Sequence, residues 1–98
     1  MTIEKNLNGT ELSVAIAGRL DTTTAPELEA SLKENLNGVA RLVLDFAELE
    51  YLSSAGLRVL LAIQKIMNKQ GEMIIKNVNE TIGEIFEVTG FVDILTIE

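Results

Sequence analysis

Two short runs, Leu42-Val43-Leu44 and Met73-Ile74-Ile75, constrain this chain more than any other feature. Each is wholly apolar and is closed on both sides by a charged residue, as expected of a strand in a sheet covered on both faces. Between them, residues 59–70 carry helical periodicity. At about 100° per residue, Gly56, Val59, Leu60, Ile63, Ile66 and Met67 fall in one arc of roughly 120° that faces the sheet, with Arg58, Ala62, Lys65 and Lys69 opposite. Leu57 and Leu61 belong to neither group and share a flank with Gln64 and Asn68. That flank packs on a neighbouring element or offers an apolar contact patch to a partner. A strand, a helix and a second buried strand in succession predict a helical crossover within an α/β sheet.

The remaining residues extend that unit. Residues 3–7 and 11–18 flank Asn8-Gly9, a hairpin signal because both residues tolerate positive φ. Leu12, Val14 and Ile16 alternate with Ser13, Ala15 and Ala17, so one strand face is buried and the other carries small side chains. Thr24-x-x-Glu27 reads as a capping box with Pro26 in the first turn. Leu28, Leu32 and Leu36 then mark one helix face up to Asn37-Gly38, which stops the helix. Residues 41–45 form the third strand and residues 47–52 a connection with Leu49 and Leu52 turned inward. Asn77 and Asn79 are N-cap candidates for a last helix with Ile82, Ile85, Phe86 and Thr89 at helical spacing. Gly90 ends that helix, and a short strand over 95–97 follows. The expected class is α/β: a mixed four- to five-stranded sheet with flanking helices, in the order β-β-α-β-α-β-α-β, as one domain over residues 1–98.

Chemistry is bounded mainly by what is missing. The chain has no histidine and no cysteine, which removes the usual neutral-pH base, a Ser-His-Asp triad and the usual zinc ligands. A net charge of −7 argues against a nucleic-acid surface, since phosphate contacts need clustered Lys and Arg. No apolar run approaches the ~20 residues that span a bilayer, and the first residues lack a signal-peptide pattern. A cytoplasmic protein without direct membrane insertion, cofactor or metal is expected. Neither phosphate-binding glycine motif is present. Asp21 and Asp45 are the carboxylates to weigh. Each sits at the end of a strand, where it binds backbone amides in a turn or, as a pair, holds Mg²⁺ weakly.

The remaining feature is Tyr51-Leu52-Ser53-Ser54-Ala55-Gly56-Leu57-Arg58, where a loop becomes a helix at the carboxyl edge of the sheet. The serines cap the helix, or one of them carries a phosphate. A helix N-terminus tolerates an anion, and a phosphate would add roughly −1.5 to −2 charge units at pH 7. The fold would persist while the surface beside Leu57 and Asp21 changed.

Residues 45–60, with that octapeptide at their centre, resemble the central motif of STAS domains, in particular bacterial anti-sigma factor antagonists. Gly18-Arg19-Leu20-Asp21 resembles the family's earlier Gly-x-Leu-Asp element. Gly71-Glu72-Met73 and Ile85-Phe86-Glu87-Val88-Thr89-Gly90-Phe91 are similar to its later strand and helix. The resemblance implies a binding module rather than an enzyme. Its unphosphorylated form sequesters an anti-sigma factor that is also a serine kinase, freeing a sigma factor, and a PP2C-type phosphatase reverses phosphorylation. The serine two before the motif glycine carries over as Ser54, with Ser53 as the alternative acceptor. Asp21, Thr22, Ser53, Gly56, Leu57, Arg58 and Leu61 carry over as the partner-binding surface. The family commonly has Asp where Ser53 stands and a hydroxyl residue where Ala55 stands. A second reading, from the same fold, is a non-phosphorylated accessory subunit of a membrane transport or signalling complex.

Overall fold

The chain starts as a hairpin. Strands β1 (Thr2–Asn8) and β2 (Glu11–Leu20) pair antiparallel with Asn8 opposite Glu11. The two-residue loop is therefore Gly9-Thr10, one position beyond the expected Asn-Gly, and Gly9 supplies the positive φ of 64° that the tight turn requires. The structure, a computed structural model, describes residues 1–98. After β2 come α1 (Ala25–Lys33), β3 (Arg41–Asp45), β4 (Leu49–Leu52), α2 (Ser54–Gln70), β5 (Glu72–Lys76) and α3 (Glu80–Thr89). A 3-10 turn (Phe91–Asp93) and β6 (Thr96–Ile97) complete it.

The sheet runs β1-β2-β3-β5-β6, antiparallel at the hairpin and parallel from β2 onward. Every parallel step moves in the same direction across the sheet and carries a helix. Right-handed crossovers must then place all three helices on one face. The core follows from that geometry. Leu12, Val14, Ile16, Leu42, Leu44, Met73 and Ile75 share one strand parity and belong to a single cluster with Leu28, Leu32, Leu60, Ile63, Met67, Ile82 and Phe86.

The expectation of cover on both faces is therefore corrected. Val43 and Ile74 point away from the helices and lie outside that cluster, yet both are buried. Their cover comes from neighbours in register: Val43 stands between Ser13 and Ile74. On the same face Arg41 reaches Glu11 at 3.0 Å and Glu72 at 2.9 Å, so its guanidinium links three adjacent strands. A triplet of apolar residues thus satisfies a sheet with helices on one side and a charged lattice on the other.

Strand count also differs from the expectation, which had residues 47–52 as a connection. Those residues include β4, a sixth strand that pairs parallel with the far end of β2. The first half of β2 pairs β3 through Ala15–Asp45, and the second half pairs β4 through Gly18–Leu49. The register then skips from Gly18–Leu49 to Arg19–Tyr51, leaving Glu50 as an extra residue. That bulge reverses strand parity, so Leu49 and Leu52, three apart, are both buried. A three-residue spacing carries no strand alternation, which is why the sequence reads there as loop.

One helix boundary shifts as well, and another is settled. α1 ends at Lys33, a turn before the expected stop, and Leu36 fills the core from the loop that follows. The capping box does not form: Thr24 is the N-cap residue but its side chain makes no cap bond. At α3 the choice between Asn77 and Asn79 is resolved for Asn79, whose side-chain oxygen accepts from Ile82 N–H at 2.9 Å.

Candidate functional site

The site is built where β2 and β4 end together. Backbone N–H of Ser53 donates to Leu20 carbonyl at 2.9 Å, which ties the loop before α2 to the end of β2. Ser53 is the N-cap of α2, in extended conformation, and its hydroxyl accepts from Gly56 N–H over a long 3.4 Å. Ser54 is the first helical residue and is exposed. The two serines are therefore not equivalent: one hydroxyl is turned inward as a cap and the other faces water.

Gly56 explains how α2 can start so close to the sheet. A Cβ there would stand 2.6 Å from Leu52 Cδ1 and 2.8 Å from Leu20 Cγ. The glycine makes room for the two strand ends, and Gly56 itself is buried. Leu57 is also buried, at 7% exposure, and joins the core cluster. Neither residue presents the partner surface expected of it. Part of the flank that Leu57 shares with Gln64 and Asn68 turned inward instead: Gln64 is buried too, its amide donating to Asn68 Oδ1 at 2.8 Å. Leu61 is half-buried, and Arg58 is exposed.

Asp21 sits one residue past β2 and is engaged as a turn residue. Its Oδ1 accepts from the N–H and the hydroxyl of Thr23 at 3.0 and 2.7 Å, and from Thr24 N–H at 3.2 Å. The Thr23 hydroxyl bond, followed by the backbone amides, holds its carboxyl below the usual aspartate value. Thr24 hydroxyl turns back to Arg19 carbonyl at 2.8 Å, which is why it does not cap α1. Thr22 is exposed and, with Pro26, Glu29, Ala55 and Arg58, lines a shallow groove between α1 and the start of α2.

Two neighbours were not anticipated. Arg19 and Tyr51 face each other across β2 and β4, with the guanidinium 4.2 Å from the ring centre. Arg19 also approaches Asp21, Nε to Oδ2, at 3.7 Å. An exposed cation, an aromatic ring and a carboxylate thus border the Ser53 loop. Only the pairing of β4 with β2 brings them together, and no spacing within the sequence signals it.

The structure does not unite Asp21 with Asp45. Asp45 is level with Ala15 on β2, six residues before Asp21, on the order of 20 Å along the strand at ~3.3 Å per residue. Asp45 Oδ1 instead accepts from Asn77 Nδ2 and Ala47 N–H, both at 2.9 Å. The Asn77 bond, then Ala47 N–H and the charge of Lys76, lower its pKa. It is a corner post for the β3–β4 turn, and the paired-carboxylate Mg²⁺ reading falls with that separation.

The sequence model of the STAS domain family matches residues 2–98. This chain belongs to the STAS family. It is 36% identical over 88 residues to BtrV of Bordetella bronchiseptica, named as a candidate anti-sigma factor antagonist, covering 88% of this chain and 76% of that one. It is 30% identical over 98 residues to the anti-sigma-B factor antagonist of Bacillus subtilis, covering 99% and 90%. In structure this STAS chain is similar to the Bacillus anti-sigma factor antagonist SpoIIAA at 16% identity. The unphosphorylated form superposes with a TM-score of 0.85 over 99% of this chain and 88% of that one. The phosphorylated form gives 0.77 over 99% and 91%. At that identity the likeness speaks for the fold: a mixed sheet of six strands with three helices. No helix of this STAS domain is long and apolar enough to cross a membrane.

Proposed function

We propose that this single STAS domain, residues 1–98, is an anti-sigma factor antagonist whose binding is switched by phosphorylation of Ser54. The unphosphorylated chain binds an anti-sigma factor that is also a serine kinase, and so frees a sigma factor in the cytoplasm. The kinase transfers the terminal phosphoryl group of its ATP to Ser54 Oγ, leaving ADP, and the complex separates. A PP2C-type phosphatase hydrolyses the ester and restores the binding form. The chain is substrate and ligand in this cycle, not catalyst.

The observation that carries the reading is the division of labour between the serines. Ser53 occupies the cap with its hydroxyl on Gly56 N–H, while Ser54 holds its hydroxyl in water on the first turn of a 17-residue helix. An exposed hydroxyl is open to a kinase, and the adjacent N-terminal end of the helix dipole favours the resulting anion. The names of the relatives support the partner class. The surface within reach of a partner is Asp21, Thr22, Arg58 and Leu61, with Ser53 at its edge and Arg19 and Tyr51 added by β4. Gly56 and Leu57 act from beneath by placing the helix.

Intact mass and peptide mapping of the protein recovered from its own cells test this directly. The expected result is one phosphate on Ser54, absent from Ser54→Ala, with partner binding retained in that variant and its phospho-release lost. Phosphate on Ser53 would move the acceptor. No phosphate under any growth condition, with phosphatases inhibited, would favour the accessory-subunit reading instead.

A further inference from the structure

Arg58 is the one arginine of three that takes part in no ion pair. Arg19 is committed to Asp21 and the Tyr51 ring, and Arg41 bridges Glu11 and Glu72. Glu29, which lines the same α1–α2 groove as Arg58, is bonded to Lys33 at 3.0 Å instead. Arg58 thus stands exposed with no internal anion to answer it.

Its position gives that vacancy a direction. Arg58 lies four residues after Ser54 on α2. A helical side chain leans back over the turn that precedes it, so a guanidinium at position 58 has the surface around Ser54 within its reach. An anion four residues N-terminal to a cation is also the favourable order of such a pair.

We propose that Arg58 is an intramolecular latch for the phosphate on Ser54. Its N–H groups donate to two phosphate oxygens in the forked geometry that guanidinium allows and ammonium does not. Phosphorylation then changes the surface twice: it adds a dianion and takes the unpaired arginine out of reach of a partner. A partner that sets a carboxylate against Arg58 loses that contact at the moment the phosphate begins to repel it. This rests on the reading of Ser54 as phosphoacceptor.

The test installs phosphoserine at position 54 during synthesis and follows its phosphorus resonance through the second ionisation, near pH 6 for a free phosphoserine. The chain is compared with Arg58→Gln and Arg58→Lys. The expected pKa is lower with arginine than with glutamine by roughly 0.15 to 0.4 of a unit. The difference should shrink in about 1 M salt, and lysine should restore part of it. Superimposable titrations in all three proteins would overturn the latch. Because the phosphate is installed without a kinase, the two readings separate. A low pKa with no phosphate on Ser54 in cells would keep the latch and remove the switch. Superimposable titrations with phosphate on Ser54 in cells would do the reverse.

Discussion

At the scale of single residues, the start of α2 concentrates three kinds of constraint within four positions. Ser53 supplies a cap, Ser54 an exposed hydroxyl, and Gly56 the space in which Leu20 and Leu52 lie. These roles have different energetic signatures. Ser53→Ala should cost about 0.5–1 kcal/mol, at the lower end because the cap bond is 3.4 Å long. Ser54→Ala should change stability by less than about 0.5 kcal/mol, as for exposed substitutions generally. Urea midpoints of the two variants check the assignment, and an equal loss at both would reverse or blur it. Gly56→Ala should be worse than either. Its new methyl meets side chains at 2.6 and 2.8 Å, and overpacking of this kind costs about 1–3 kcal/mol. A Gly56→Ala protein as stable as its parent would mean that Leu52 and Leu20 move aside freely.

Between elements, the decisive joint is the corner from β3 to β4. Asp45 holds it by accepting from Ala47 N–H and Asn77 Nδ2, the latter from a residue in the left-handed region at φ 59°. Its carboxyl, like that of Asp21, titrates below its ordinary value. A depressed folded-state pKa contributes stability that is present above the unfolded value, near pH 4, and is lost as pH falls through the folded value. Acidification below about pH 4 should therefore weaken the fold through both groups. Asp45→Asn keeps an acceptor oxygen but removes one titration. It should be slightly less stable at neutral pH, and its urea midpoint should fall less between pH 7 and pH 3 than that of the parent. An unchanged pH slope would show that the corner does not depend on the ionised form.

β3, β5 and the α2 face between them were legible in the sequence because the strands are short apolar runs bounded by charges and the helix carries a clear 3.6-residue period. β4 was not. Its bulge at Glu50 puts Leu49 and Leu52 on the same side, and that spacing matches no regular strand. The same gap hid Arg19 and Tyr51 as neighbours of Ser53. They lie far apart in the chain and meet only through the β2–β4 register.

For the molecule as a whole, the one-sided sheet sets where substitutions are felt. Leu44 is buried against the helices, whereas its neighbour Val43 lies on the helix-free face, in a depression it shares with Lys5, Ser13, Asp45 and Lys76. Leu44→Ala should cost about 3 kcal/mol, within the usual range for a core leucine. Val43→Thr should cost under about 1 kcal/mol, because a hydroxyl on that face can reach water or a neighbouring polar group. Thermal or urea unfolding of the pair distinguishes this arrangement from a two-sided sandwich, in which both changes would be severe. The open face also leaves the proposed Ser54 switch to the other side and edge of the molecule, where α1, α2 and the ends of β2 and β4 converge.

Local pattern was enough to determine the strand–helix alternation, the buried runs at residues 42–44 and 73–75 and the motif that places two serines at the start of a helix, and it offered the turn role of Asp21 as one of its readings. Those features arise from interactions among residues close in sequence, so periodicity and turn chemistry report them. Tertiary structure alone decided that all three helices share one face and that β4 continues the slot beside β2. It also decided that Gly56 and Leu57 lie beneath the surface rather than on it, and which serine faces water. Each of these depends on how distant segments stack and on which side of a strand a bulge leaves its side chains, and no local period encodes either.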